Sequence, residues 1–194
     1  MTSVIIAFLF VNLFDTAGTL LGVASRAGLV DEDGLHDLGS ALALLRVARD
    51  GVDDLVVEAF LTLPANGGET LPLLALPHCG PIWGSDDRYF SSEVQWLAHN
   101  GYGVLQLNYR GSRGYGEELK NSGMRQWGRG IEDDIEAAVR RVLADYPQID
   151  ADRVGVFGGS YGGYSAVMSV IRNPELFKCA ASYAGVMDLT LLFT

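Results

Sequence analysis

From Leu55 onward, short apolar runs alternate with segments whose apolar residues recur at helical spacing. Leu55-Val56-Val57-Glu58-Ala59-Phe60-Leu61-Thr62-Leu63 reads as a strand ended by Pro64, and Asn66-Gly67-Gly68 as a turn. Leu73-Leu74-Ala75-Leu76 is apolar throughout, as expected of a strand covered on both faces. Ser91 or Ser92 is placed to cap a helix that runs through His99 and ends at Gly101. Val104-Leu105-Gln106-Leu107 is the next strand. Ile131, Ile135, Ala138, Val139, Val142 and Leu143 share one face of a helix, with acids at its start and Arg140-Arg141 near its end, as the helix dipole favours. Val154-Gly155-Val156-Phe157 is a strand, Tyr161 to Arg172 a helix, and Cys179 to Tyr183 another strand. Strand and helix alternate, so the pattern predicts an α/β fold with a mostly parallel sheet and helices on both faces.

The pattern changes ahead of Leu55. Val4 to Ala24 is apolar, interrupted by Asn12 and one charge, Asp15, and it has the length of a membrane span. Nothing before Val4 is basic, so it does not read as a signal peptide. The alternative is a buried helix. The boundary falls near Ala43 to Asp50, giving a segment over 1–43 and a domain over 44–194. The segment is expected to be a helix outside the core, with Leu13, Phe14 and Leu20 poorly buried.

Composition narrows the functions. The 194 residues carry a formal net charge of −10, which argues against a nucleic-acid or anionic-membrane partner, since both need a basic face. Acidic groups such as Asp31-Glu32-Asp33 and Glu132-Asp133-Asp134 read as solvated turns and helix starts. Asp31-Glu32-Asp33-Gly34 lacks the ligand spacing and closing Glu of a calcium loop. Cys79 and Cys179 form no C-x-x-C pair and no disulfide framework, so a reducing, cytoplasmic compartment is the expectation. No metal or cofactor pattern is present: Gly-x-Gly-x-x-Gly and a P-loop lysine are both missing.

The chemistry lies in Gly158-Gly159-Ser160-Tyr161-Gly162, set between a predicted strand and a predicted helix. That is the context of a nucleophile elbow, with Ser160 as the nucleophile. Glycines 158, 159, 162 and 163 leave room for a sharp, strained turn. The helix start then aims free N–H groups at a developing negative charge, and the Tyr161 N–H is one oxyanion donor. Pro77-His78-Cys79-Gly80-Pro81 follows the Leu73–Leu76 strand, and its Gly80 N–H is the second donor. His78 is read as a loop-packing residue, because the base of this architecture follows the serine in chain order.

These residues resemble a known family. His78-Cys79-Gly80-Pro81, Asn108-Tyr109-Arg110-Gly111-Ser112-Arg113-Gly114-Tyr115-Gly116 and Gly159-Ser160-Tyr161-Gly162-Gly163-Tyr164 together resemble the catalytic domain of the prolyl oligopeptidase family of serine peptidases, in its acylaminoacyl-peptidase and dipeptidyl-aminopeptidase branch. The resemblance runs from about Arg49 and includes Trp127-Gly128 and Asp133-Asp134. It implies an α/β-hydrolase fold, a peptide substrate cleaved near its N-terminus, no cofactor, and a gating β-propeller. It also implies that Tyr161 and Gly80 are the oxyanion donors and that Val186 walls the pocket for the residue before the scissile bond.

Three departures bear on activity. The family has Gly where this chain has Cys79, which is expected to shift the loop carrying the Gly80 N–H. The family places its triad Asp and His after later strands, whereas His36, His78 and His99 all precede Ser160 and Asp188 follows too soon. No propeller precedes the domain. The chain is therefore expected to be a fragment that is inactive on its own. Phe8-Leu9-Phe10-Val11-Asn12-Leu13-Phe14-Asp15-Thr16-Ala17-Gly18-Thr19-Leu20 and Arg26-Ala27-Gly28-Leu29-Val30-Asp31-Glu32-Asp33-Gly34 are similar to part of a nucleobase permease, which implies a fusion of two fragments and membrane association through residues 4–24. A carboxylesterase-like hydrolase and a non-catalytic, membrane-associated fusion remain the alternatives to a serine peptidase.

Overall fold

A computed structural model describes residues 41–48, 55–65 and 70–189. The expected N-terminal helix, with Leu13, Phe14 and Leu20, and the Asn66-Gly67-Gly68 turn lie outside the described residues. Among the described residues, six strands form one sheet in the order β1-β2-β4-β3-β5-β6. They are β1 (Ala41–Ala48), β2 (Val56–Leu63), β3 (Leu71–Pro77), β4 (Gly103–Asn108), β5 (Ile149–Gly159) and β6 (Cys179–Tyr183). The helices among the described residues are α1 (Ser92–His99), α2 (Gly116–Ser122), α3 (Gly130–Asp145) and α4 (Tyr161–Arg172).

β3, β4, β5 and β6 are parallel neighbours, as the alternation of strand and helix requires. β1 and β2 are antiparallel additions on the β4 side. β1 crosses the expected boundary near Ala43: it pairs along its whole length with β2, from Ala41 opposite Leu63 to Ala48 opposite Val56. Among the described residues the sheet therefore begins at Ala41. Leu42 and Leu44 point to solvent while Val47 is buried, so this edge strand carries only a weak alternation in sequence.

Period-two alternation divides the central strands between two cores. Leu73 and Ala75 of β3, Leu105 and Leu107 of β4, and Val154 and Val156 of β5 face α3 and α4 in the main core. Leu74 and Leu76, Val104 and Phe157 face the other way, against Val94 and Leu97 of α1. Burying each such Leu, Val or Phe contributes roughly 1.5–3 kcal/mol. Ser91 caps α1, its Oγ accepting from the Val94 N–H at 3.4 Å, and Gly101 with φ 88° ends the turn beyond it. β6 lies at the sheet edge, and all five of its residues are exposed.

Two readings of α3 need correction. Ile131, Ile135, Ala138, Val139 and Val142 are buried as expected, but so are Glu132 and Asp134, each 1% exposed. Of the acidic group only Asp133 is half-exposed, where it pairs with Arg172. The physical reason is partnership: Asp134 accepts from the Arg110 backbone N–H at 2.9 Å, Nε at 2.9 Å and Nη2 at 2.7 Å, so its charge is compensated inside the core. Arg140 and Arg141 fall short of the last turn and pair with Glu136 and Asp145 instead of capping the helix.

Candidate active site

The C-terminal ends of β3 and β5 meet at Ser160, the single residue between β5 and α4. Ser160 has φ 53° and ψ −121°, a conformation L-residues rarely adopt. Three backbone bonds hold it there. The Ser160 N–H donates to the Tyr183 carbonyl at 2.9 Å, and the Ser160 carbonyl accepts from the Tyr164 N–H at 3.2 Å and the Val186 N–H at 3.3 Å. The end of β6 and the segment after it thus clasp the turn. Val186 is half-buried beside Ser160, which is where a pocket wall would stand.

The glycines around Ser160 are not equivalent. A Cβ at Gly162 would lie 2.0 Å from the Pro77 carbonyl oxygen, and one at Gly158 would lie 2.5 Å from Gly162 backbone. At Gly163 it would meet Ser182 Oγ at 2.6 Å. The loop after β3 is therefore seated directly on the first turn of α4. At Gly159 the nearest atom is Cys79 Sγ at 3.7 Å, an ordinary contact, so this glycine is not demanded by crowding as the sequence reading expected. Tyr161 is fully buried at the start of α4. As the first residue of a helix its N–H has no acceptor within that helix.

The loop is braced from below. The Tyr109 hydroxyl donates to the His78 carbonyl at 2.9 Å, and a Cβ at Gly80 would come within 3.0 Å of that hydroxyl. The His78 ring stacks on Tyr109 at 4.1 Å, with Nε2 2.9 Å from Ser112 Oγ and Nδ1 donating to the Cys79 carbonyl at 2.8 Å. Burial lowers its pKa to about 4, partly offset by the backbone hydrogen bond, so the ring is neutral at physiological pH. Nδ1 is engaged within its own loop and Nε2 with Ser112 of the loop after β4, as expected of a packing residue. His99, at the C-terminal end of α1, precedes β4 and so stands at the opposite end of the parallel strands from Ser160. His36 lies outside the described residues.

Cys79 turns outward. The residue is exposed overall, but its thiol donates to the Gly159 carbonyl at 3.5 Å, and partial burial of the sulfur together with the charges of Asp86 and Glu93 raises its pKa. A thiol held protonated is a poor nucleophile. Cys79, Asp86, Glu93, Gly158, Gly159 and Tyr183 border a cavity of ≈ 330 Å³ beside the elbow. Burial pushes the Asp86 carboxyl up to about 7, a hydrogen bond from Gln106 opposes this, and Asp87 and Glu93 add to it. Asp86 is held in place by Asn108, whose Oδ1 accepts from the Asp86 N–H at 2.7 Å. Among the described residues no cluster of His, Cys, Asp and Glu is arranged to hold a metal ion.

Comparison with known proteins agrees with this geometry. Residues 88–194 match the model of the prolyl oligopeptidase family. The chain belongs to that family. It is 34% identical over 150 residues to dipeptidyl aminopeptidase BIII of Pseudoxanthomonas mexicana, covering 73% of this chain and 22% of that one. Among solved structures it is similar to a puromycin-hydrolyzing peptidase of Mycobacterium tuberculosis (TM-score 0.73, 30% identity, 82% of this chain and 24% of that one). It is also similar to the acylaminoacyl peptidase of Pyrococcus horikoshii (TM-score 0.70, 28% identity, 76% and 23%). The fold is therefore of the α/β-hydrolase type, as the sequence resemblance implied. The chain spans about a fifth of the length of the curated relatives it matches.

Within this family member, Ser160, Tyr161, Gly162, Gly163 and Val186 lie together, and the loop of Gly80 sits against them through Pro77 and His78. Arg110 and Asp134 are singled out in the sequence only by the family resemblance, and Glu132 only as a solvated acid; in the structure they fasten the loop after β4 and the start of α4 to α3. A signal for the two acids was present. Asp134 is three residues after Ile131 and four before Ala138, and Glu132 is three before Ile135, so both belong to the apolar face.

Proposed function

We propose that this chain carries the nucleophile half of a serine peptidase site, which acts on peptide bonds through an acyl-enzyme on Ser160. The observation that carries the reading is Ser160 itself: a non-glycine residue with φ 53° between β5 and α4, with the loop after β3 packed on Gly162. Strain of this kind, about 1–3 kcal/mol, persists only where the surroundings enforce it, and it lifts Oγ clear of the strand end. In the proposed reaction Oγ attacks the scissile carbonyl as its proton passes to a base, and the N–H groups of Tyr161 and Gly80 stabilise the oxyanion; the C–N bond then breaks as the base gives that proton to the leaving amine, and water hydrolyses the acyl-enzyme. Val186 walls the pocket for the residue before the scissile bond.

The base is not found among the described residues. His78 is neutral but committed to its loop, and the sequence has no histidine after Ser160. Without a base the hydroxyl is a weak nucleophile at neutral pH. The relatives named dipeptidyl aminopeptidase and acylaminoacyl peptidase support a peptidic substrate over an ester. The two unpaired thiols, Cys79 and Cys179, support a reducing, cytoplasmic location. Among the described residues no helix is long and apolar enough to cross a membrane. Membrane association through residues 4–24 belongs to this proposal as a property of the segment ahead of the sheet.

The test is complementation. The chain joined to the C-terminal part of a relative, which supplies Asp and His, is assayed on an aminoacyl amide and on a short-chain ester. Amide hydrolysis that Ser160→Ala abolishes supports the peptidase. Ester hydrolysis alone would make it an esterase, and activity that survives Ser160→Ala would refute Ser160 as nucleophile.

A further inference from the structure

Glu132 is the third residue of α3 and is 1% exposed. Its Oε1 accepts from two side chains of α4: the Tyr161 hydroxyl at 3.1 Å and Ser165 Oγ at 2.7 Å. Tyr161 and Ser165 are the first and fifth residues of α4, one turn apart on one face. A single carboxyl oxygen therefore spans the first turn of the helix that follows Ser160. Both side chains are fully buried, and the Tyr161 ring is flanked by Tyr109 and Tyr164, with centroids 6.2 and 5.6 Å away.

This arrangement is costly where packing alone would suffice. A buried carboxyl is tolerated only when hydrogen-bonded, and a well-packed apolar group in its place often leaves stability unchanged or improved. Oε2 of Glu132 is buried with no hydrogen-bond partner, so stability is not optimised here. Apolar contacts hold a helix against its neighbour without fixing its rotation closely. Two directed hydrogen bonds to successive turns do fix it.

We propose that Glu132 is a positioning residue, which sets the rotation of the first turn of α4 and through it the direction of the Tyr161 N–H. The role presupposes the reading of Tyr161 as an oxyanion donor. A donor misplaced by about 1 Å can cost on the order of 10²-fold in rate, so a device that fixes this N–H has a functional purpose. Burial pushes the Glu132 carboxyl above its ordinary range, while the hydrogen bonds from Ser165 and Tyr161 and the charge of Arg172 pull the other way.

The experiment follows backbone amides of the full 194-residue chain by 1H–15N NMR, and needs no turnover. Glu132→Ala is expected to shift or broaden the Tyr161, Gly162 and Gly163 resonances, and Glu132→Gln, which still accepts both hydrogen bonds, to restore them. Val142→Ala, a cavity in the core face of the same helix, serves as the control for general loosening and should leave them in place. Ser165→Ala removes one bond alone and should move the same resonances, which decides the matter if Glu132→Ala does not fold. Unmoved resonances in both Glu132→Ala and Ser165→Ala, or equal movement in Val142→Ala, would overturn the proposal. Failure of the peptidase reading is seen separately, in the Ser160→Ala assay.

Discussion

The Val186 N–H donates to the carbonyl of Ser160 at 3.3 Å, so the segment after β6 is tied to the backbone of the strained serine. Together with the Tyr183 carbonyl, which accepts from the Ser160 N–H, this contact makes the elbow depend on residues more than twenty positions downstream. The positive φ of Ser160 is imposed by these bonds and not chosen by its own side chain.

Relieving that strain should stabilise the fold. Ser160→Gly is expected to raise stability by roughly 1 kcal/mol, the strain relieved less the added entropy of an unfolded glycine. Urea denaturation of the two proteins measures it. A lower midpoint for the variant would show that the turn is not strained.

Gly162 and Gly159 should respond differently to a methyl group. Gly162→Ala puts a carbon 2.0 Å from the Pro77 carbonyl oxygen and is expected to cost about 1–3 kcal/mol or more. Gly159→Ala meets only ordinary contacts at 3.7 Å and beyond and should cost well under that. Paired denaturation curves settle the order, and equal losses would contradict the seating of the loop on α4.

Asp134 neutralises Arg110 with both side chains nearly out of solvent. Asp134→Ala removes the carboxylate that faces this buried guanidinium and should cost about 3–5 kcal/mol, the loss usual when one partner of a buried pair is removed. A loss below about 1 kcal/mol would place the pair in the class of exposed bridges.

Asp86 and His78 should give opposite pH dependences of stability. Asp86 binds its proton more tightly in the fold, at about 7 against an ordinary 3.8, so its contribution is greatest at low pH and is lost as pH rises through about 7. His78 is held at about 4 against an ordinary 6.5, so the unfolded chain takes up the proton first and stability is lost as pH falls from about 6.5 to 4. The stability difference between wild type and Asp86→Asn should therefore decrease from pH 4 to 7, and that between wild type and His78→Gln should increase from pH 4 to 6.5. Flat differences would place both groups in solvent-like surroundings.

The bare chain should show no meaningful amide hydrolysis, and Cys79→Gly should not change that. The Cys79 side chain points outward to the Gly159 carbonyl, so its removal leaves the proton of Ser160 Oγ without an acceptor as before. Robust turnover by the bare chain, lost on Ser160→Ala, would mean that a histidine ahead of the serine serves as base, and His78→Gln would be the first variant to assay.

The sequence by itself determined the central strands, α1, the core face of α3, all of α4, and Ser160 at a strand-to-helix turn. These are set by local periodicity and by glycine spacing, which short stretches of chain contain in full. The tertiary structure alone decided three things. β1 owes its strand to pairing with β2, because its exposed positions include Leu42 and Leu44 and so leave little polar alternation to read in the sequence. Gly158, Gly162 and Gly163 are required by backbone and side chains that approach from β3, β6 and one another, whereas Gly159 is not, a difference no spacing reveals. The spacing of Glu132 and Asp134 puts them on the apolar face of α3, but what would hydrogen-bond them there is decided only by Arg110, Tyr161 and Ser165, which arrive from other elements. The cost of burying a carboxyl is set by its partners, and those partners are remote in sequence and adjacent only in the fold.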